Sequence, residues 1–161
     1  MQSNLKQMNN NSSFKIITDL DSFLQHPDRK NQTIVFTNGC FDLLHEGHLY
    51  LLKEAKKLGN SLIVAVNSDA SVKKLKGETR PIETLDIRMQ KLAGLEIVDY
   101  VISFSEDTPL QLIEKIKPDV LVKGGDYKIE EVVGNNITPQ TVIIPLMEGI
   151  STTKIIDNNN N

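Results

Sequence analysis

The chain has 161 residues, of which 39% are hydrophobic, and a formal net charge of −3, which suits one domain with a buried core and argues against a broad nucleic-acid footprint. Its single cysteine excludes an intramolecular disulfide. Because it has neither an apolar segment long enough to span a bilayer nor a signal-peptide pattern at its N-terminus, we expect a soluble, cytoplasmic protein with no membrane or nucleic-acid partner.

The predicted elements alternate between strand and helix along most of the chain. Residues 1–13 and 157–161 are rich in polar residues such as Asn and are predicted to be disordered tails around a domain at 14–156. Strands are predicted at Thr33–Thr37, Leu62–Val66, Tyr100–Ser103, Asp119–Val122 and Thr141–Ile144. Helices are predicted at Leu49–Leu58, Ser68–Leu75, Leu85–Leu95 and Pro109–Ile116, with a short one near Ser151. Since the strands are nearly all apolar, the pattern predicts an α/β fold, a Rossmann-like doubly wound parallel sheet of about five strands.

The first strand leads into the most informative segment, which contains Asn38, Gly39, Phe41 and Asp42 and then the motif His45-Glu46-Gly47-His48. A strand, a glycine turn and a helix N-terminus form an anion site, because unpaired backbone N–H groups and the positive end of the helix dipole face the loop. Two imidazoles three residues apart lie at neighbouring helical positions. The segment therefore favours phosphate binding.

These histidines also fit more ordinary roles. A histidine near a helix start is often a cap or a surface residue, and Asp42, His45 and His48 are also of metal-ligand type. However, the chain has only 3 histidines, and the remaining one, His26, lies in a polar segment. Cys40 is interpreted as a small buried hydrophobe, since nothing specific lowers its pKa. A metal would lack a further obvious ligand.

Polar and glycine residues follow the later strands too. Ser68 and Asp69 come after the second strand with Asn67, and either could simply cap a helix. Lys123, Gly124, Gly125 and Asp126 follow the fourth strand, where a glycine pair lets a flat base or a phosphate approach the backbone. Gly149, Ser151, Thr152 and Thr153 follow the fifth, and hydroxyls at a helix start bind phosphate oxygens. Because the carboxyl ends of parallel strands share one edge, these groups should converge.

The segments TNGCFDLLHEGH, AVNSDASVKKLKGETRPI, EDTP, PDVLVKGGDY and EGISTTKII together resemble the cytidylyltransferase-like nucleotidyltransferase superfamily. Within it they are most similar to the adenylyltransferases that make ADP-heptose from D-glycero-β-D-manno-heptose 1-phosphate and ATP. The resemblance covers residues 14–156, and no sugar-kinase segment precedes it, so the chain resembles the stand-alone form. It also makes a homodimer plausible.

The resemblance implies ATP and Mg²⁺ as reaction components, with Mg²⁺ held mainly through the ATP phosphates. It implies catalytic roles for His45 and His48 at the transferring phosphates and for Lys76 and Arg88 in charge neutralisation. The last two also fit solvated polar positions. Asp42 could support either the histidines or Mg²⁺, and it also fits an ordinary turn cap. It implies nucleotide binding by a larger set: Asn38, Gly39, Phe41, Asp42, Gly47, Asn67, Asp69, Lys123, Gly124, Gly125, Asp126, Gly149, Ser151, Thr152 and Thr153.

Two departures from the pattern concern the end of the chain. Related glycerol-3-phosphate cytidylyltransferases have an arginine where this chain has Leu146, and the segment between Val133 and Val142 is shorter than in the heptose enzymes. The first departure weakens a cytidylyl assignment. The alternatives are a cytidylyl- or adenylyltransferase for another small phosphate, such as glycerol 3-phosphate or FMN, and a non-catalytic nucleotide-binding module.

Overall fold

A computed structural model describes residues 13–145 of the chain. Five strands form one all-parallel sheet in the order β3-β2-β1-β4-β5. They are β1 (Ile34–Gly39), β2 (Ser61–Asn67), β3 (Tyr100–Phe104), β4 (Val120–Gly124) and β5 (Gln140–Ile144). The predicted doubly wound parallel sheet is confirmed, and each strand begins and ends within two residues of its predicted bounds.

The α-helices of the described residues are α1 (Leu20–Leu24), α2 (Glu46–Lys56), α3 (Asp69–Lys76), α4 (Leu85–Ala93) and α5 (Leu110–Ile116). Short 3₁₀ turns lie at Ser13–Lys15, Pro27–Asn31, Ile129–Glu131 and Asn135–Ile137. None of the helices within residues 13–145 is long and apolar enough to cross a membrane. Apart from Ser13, the predicted tails and the helix predicted near Ser151 lie outside the described residues.

The sheet is covered on both faces because its strands carry apolar side chains in both directions. Every residue of β2 is buried. Val35 and Val64 pack on one face with Leu52 of α2, and Phe36 and Ile63 pack on the other with residues of α5. A strand that is buried on both sides needs no polar alternation, which is why the apolar runs predicted these strands well.

The strand order reverses between β1 and β4. From β1 the chain builds outward through β2 and β3, and it then crosses back to place β4 and β5 on the other side. At this junction the Thr37 hydroxyl donates to the Val122 carbonyl oxygen at 2.9 Å. In parallel sheets the helices diverge at such a switch point, which leaves a crevice beyond the carboxyl ends of the strands.

The opposite, amino-terminal edge of the sheet is closed by side-chain caps. The Asp119 carboxylate accepts from the Ile34 backbone N–H at 2.8 Å, and the Asp99 carboxylate accepts from that of Leu62 at 2.7 Å. The Asn60 side-chain oxygen accepts from the Thr33 N–H at 2.8 Å. These caps satisfy the first donors of the central strands. The edge that remains open for ligands is the carboxyl edge.

Candidate active site

A cleft of about 550 Å³ opens at the carboxyl edge, over the switch point between β1 and β4. The structure brings together at its walls these residues of the predicted site: Asn38, Gly39, Phe41, His45, Gly47, His48, Asn67, Lys76, Lys123 and Gly124. They come from three strand ends, the loop after β1, the N-cap and first turn of α2, and the last turn of α3. The convergence expected from parallel strands is therefore present in the fold.

The two histidines cap the start of α2 reciprocally. His45 is the N-cap residue, and its Nδ1 accepts from the Gly47 backbone N–H at 3.1 Å. His48 Nδ1 accepts from the His45 backbone N–H at 3.2 Å, and the two rings stack with centroids 3.8 Å apart. This cap explains why α2 begins at Glu46, three residues before the predicted start at Leu49.

These backbone contacts determine where each ring carries its proton. A nitrogen that accepts a hydrogen bond must present a lone pair, so Nδ1 is unprotonated on both rings and the neutral ring carries its proton on Nε2. Burial, together with electrostatic repulsion from His45 and Lys76, lowers the pKa of His48 to about 3, although Asp42 opposes the shift. Burial and Lys76 also lower the pKa of His45. Both histidines are therefore neutral N–H donors near pH 7.

The loop before α2 holds the histidines through a strained backbone. Phe41 and Leu43 adopt left-handed φ values of 49° and 59°, which non-glycine residues rarely do. The buried Phe41 ring lies 5.3 Å from the His48 ring, centroid to centroid. A Cβ added at Gly39 would lie 3.0 Å from the Phe41 ring. Glycine at this position thus lets Phe41 pack between the strand end and His48.

Asp42 fixes this loop to the segment before α4. The buried carboxylate accepts from Arg80 Nε at 3.0 Å and from the backbone N–H groups of Ile82 at 2.7 Å and Glu83 at 2.9 Å. Burial alone would raise the pKa of Asp42, but these hydrogen bonds outweigh burial and lower it. Asp42 therefore supports the histidine loop, one of the two roles considered from the sequence.

The other role considered for Asp42 is support of Mg²⁺, and for this role the described residues offer no ligand set around the carboxylate. Within residues 13–145 no group of three His, Cys, Asp or Glu side chains converges in a way that could hold a metal ion. The two Asp42 oxygens accept the three hydrogen bonds just described. The described residues therefore do not fit a metal held by the protein itself.

Arg88 is fully buried beside the cleft. Nη1 donates to the carbonyl oxygens of Cys40 and Asn67, both at 2.8 Å. Nη2 donates to Asp69 Oδ1 at 2.7 Å, and Nε donates to the Glu83 carbonyl oxygen at 3.0 Å. The solvated position considered for Arg88 is therefore wrong. Its charge-neutralising role stays a prediction, and its contacts identify it as a positioning residue.

Only some of the remaining predicted site residues border the cleft. Lys76 is exposed at the end of α3 and borders the cleft. Gly125, which has a φ of 119°, donates its N–H to the Ile144 carbonyl oxygen at 3.0 Å and so joins β4 to β5. Asp126 is exposed and does not line the cleft. The described residues do not include Gly149, Ser151, Thr152 and Thr153. They also do not include Leu146, which stands where the related cytidylyltransferases have an arginine.

One wall of the cleft was not assigned from the sequence. It is formed after β3 and β4 by Phe104, Asp107, Thr108, Pro109, Tyr127, Glu131, Val132 and Val133. The EDTP and VKGGDY segments carried part of the resemblance and contain several of these residues, and their positions directly after strands were the available signal. Cys40 also borders the cleft, half-buried, and burial raises the pKa of its thiol, which agrees with its interpretation as a non-nucleophile.

Comparison with protein families gives a match to the family described as cytidylyltransferase-like over residues 36–158. Two curated relatives are named bifunctional protein HldE. The one from Helicobacter hepaticus is 57% identical over 143 residues, which are 89% of this chain and 30% of the relative. The one from Campylobacter concisus is 56% identical over 142 residues, 88% of this chain and 30% of the relative. The chain thus spans less than a third of these proteins.

Two solved structures share the fold. The lipopolysaccharide core biosynthesis protein from Thermoplasma volcanium has a TM-score of 0.63 and 30% identity, over 73% of this chain and 99% of that chain. The pantoate–β-alanine ligase from Francisella tularensis, complexed with β-γ ATP and β-alanine, has a TM-score of 0.60 and 21% identity. The match covers 90% of this chain and 76% of that chain. The second likeness supports the fold alone.

The contacts of Arg88 predict a large loss of stability for Arg88→Met. The substitution leaves three backbone carbonyl oxygens without their donor, and each buried acceptor that loses its partner costs about 1–3 kcal/mol. Asp69 also loses its partner, but its side chain is 46% exposed, so water solvates it. Urea denaturation measures this change. Lys91→Met, on the half-exposed surface of the same helix, is the matched control and should change stability by less than about 1 kcal/mol. Equal stability of the two variants would contradict the positioning role.

Proposed function

Since the chain belongs to the cytidylyltransferase-like family and is a nucleotidyltransferase, we propose that it transfers the adenylyl group of ATP to D-glycero-β-D-manno-heptose 1-phosphate, releasing pyrophosphate and forming ADP-heptose. The observation that carries the proposal is the pair of neutral histidine donors at the start of α2, inside the switch-point cleft. The heptose acceptor is supported by the resemblance of LKGETRP and VKGGDY to that branch. The likeness to the Thermoplasma volcanium protein, whose name refers to lipopolysaccharide core biosynthesis, also supports it.

The proposed reaction requires neither a covalent intermediate with the protein nor a general base. A phosphate oxygen of the acceptor is already an anion, so it attacks the α-phosphorus of ATP in line without a general base. The O–P bond to the acceptor forms as the bond to the leaving pyrophosphate breaks. Catalysis then depends on holding two mutually repelling phosphates together, for which positioning supplies about 7–11 kcal/mol. Donors aimed at the developing charge supply about 3–4 kcal/mol each.

The histidines suit this task because they are neutral. A neutral ring keeps its Nε2 proton as a hydrogen-bond donor throughout the reaction and adds no proton-transfer step. The N-terminal end of α2 adds its own N–H groups and dipole to the same region. In this assignment His45 and His48 contact the transferring phosphates, and Lys76 neutralises charge at the rim of the cleft.

The nucleotide assignment also includes residues at and after the end of β4 and residues that follow position 145. Gly124, Gly125 and Asp126 are proposed to surround the base. Ser151 and Thr152 are proposed to hold phosphate oxygens, with Gly149 and Thr153 beside them. Mg²⁺, which neutralises phosphate charge when it is bound, is proposed to arrive with ATP, because residues 13–145 offer no ligand set of their own. A cytoplasmic location and a homodimer complete the proposal.

The substrate pair is tested by incubating the protein with ATP or CTP and a panel of phosphates: heptose 1-phosphates of both anomers, glycerol 3-phosphate and FMN. Pyrophosphate release is the measurement. We expect activity with ATP and the β-anomer of the heptose phosphate, at a kcat/KM well above that of any other pair. Comparable kcat/KM with CTP would refute the adenylyl assignment, and preference for glycerol 3-phosphate or FMN would refute the acceptor.

The histidine assignment predicts that His48→Ala lowers kcat by about 100-fold or more, the magnitude for losing one preorganised donor. The variant also loses the hydrogen bond to the His45 backbone, which as a capping interaction is worth about 1 kcal/mol. Its melting temperature should therefore fall only slightly. His26→Ala, at an exposed position that does not line the cleft, is the control. Near-normal turnover of folded His48→Ala would remove the catalytic assignment.

A further inference from the structure

Lys123 occupies an unusual position at the carboxyl end of β4. Its side chain is half-buried and lines the cleft next to Gly124. The Nζ atom lies 5.3 Å from the centroid of the Tyr127 ring, which is a cation–π distance. The ammonium is thus partly desolvated, lies over an aromatic face, and belongs to a side chain that borders the cleft at the switch point.

The other cations near this edge differ from Lys123 in their partners. Arg80 is paired with Asp42 at 3.0 Å, and Arg88 is paired with Asp69 at 2.7 Å. Lys76 is exposed, so water solvates it. No carboxylate within residues 13–145 lies within ion-pair distance of Lys123. A desolvated cation without a counter-anion is costly in a folded protein.

The side chains around Lys123 explain its electrostatic state. Burial lowers its pKa, and the nearby Cys40 thiol opposes that shift only in part. Lys76 also borders the cleft, close enough to the histidines to lower the pKa of both. The cleft therefore has one cation beside the histidine wall and another on the β4 side.

We propose that Lys123 binds a substrate phosphate, and that the Tyr127 ring holds its ammonium in place until that phosphate arrives. This assignment rests on the proposed function for the identity of the phosphate, which is either that of the acceptor or one of those of ATP. Two cations that line one cleft with the histidines match a reaction in which two phosphorylated substrates must be brought together. Gly124, which lines the cleft beside Lys123, has no side chain that could block the anion.

The proposal predicts opposite effects of Lys123→Met on stability and on binding. Without ligand, the variant should melt at the same temperature as the wild type or higher, because it removes a partly desolvated charge that pairs with no carboxylate among residues 13–145. Inorganic pyrophosphate should raise the melting temperature of the wild type and fail to raise that of the variant. The control is Lys128→Met, an exposed lysine that does not line the cleft, and it should behave as the wild type in both measurements.

Steady-state kinetics identify the phosphate. We expect kcat/KM of Lys123→Met to fall at least tenfold, with partial recovery in Lys123→Arg, which keeps the charge. An increase confined to the KM of the acceptor assigns Lys123 to the acceptor phosphate, and an increase in the KM of ATP assigns it to the nucleotide. Either result supports the proposal. Should the Met variant fail to fold, Lys123→Gln takes its place in every measurement.

The proposal is overturned if Lys123→Met keeps the pyrophosphate effect and a kcat/KM within twofold of the wild type. It is also overturned if the variant melts at a lower temperature with unchanged kinetics, because that result identifies a structural lysine. The pyrophosphate measurement needs no knowledge of the acceptor. If the wild type proves inactive with every nucleotide and phosphate of the panel, the proposed function fails while Lys123 is still tested.

Discussion

The hydrogen bonds of the Arg88 guanidinium are the constraint on which the site depends. Parallel strands end with carbonyl groups that have no partner in the sheet, and a buried carbonyl must find a donor elsewhere. Arg88 supplies one to Cys40 after β1 and one to Asn67 at the end of β2, while it also binds Asp69 and the Glu83 carbonyl oxygen. Because the guanidinium is planar and rigid, the three chain segments it joins, which lie after β1, at and after the end of β2, and before α4, are held in one geometry.

The loop that follows β1 connects the segment held by Arg88 to the histidines and so positions them. Asp42 joins the loop to Arg80 and to two backbone N–H groups, and the helix cap then fixes both imidazoles by their Nδ1 atoms. The Nε2 donors are consequently determined by backbone contacts rather than by solvent. Donors positioned before the substrate arrives need no reorganisation when charge develops, which is the main source of electrostatic catalysis in enzymes. The contacts that satisfy the strand ends therefore also position two neutral donors at the wall of the cleft.

Sequence reasoning predicted the sheet well and parts of the site poorly, for physical reasons. Apolar β-branched runs predict buried parallel strands because both faces are covered, whereas the five-residue helix Leu20–Leu24 is too short to produce a periodic signal. The histidine motif was visible because its residue types and spacing are local. The role of Arg88 was not, since its acceptors are mainly backbone carbonyls that any residue provides. That no carboxylate among residues 13–145 pairs with Lys123 likewise depends on which side chains the fold brings near.

The most direct test of this mechanism is the protonation state of the histidine pair, measured by NMR on protein with ¹⁵N-labelled histidine between pH 5 and 8. Long-range ¹H–¹⁵N correlations separate Nδ1 from Nε2 on each ring. We expect His45 and His48 to be protonated on Nε2 at pH 7. We also expect His48, with its pKa lowered to about 3, to show no transition in this range. A proton on Nδ1 of either ring, or titration of His48 near its ordinary pKa, would contradict the mechanism.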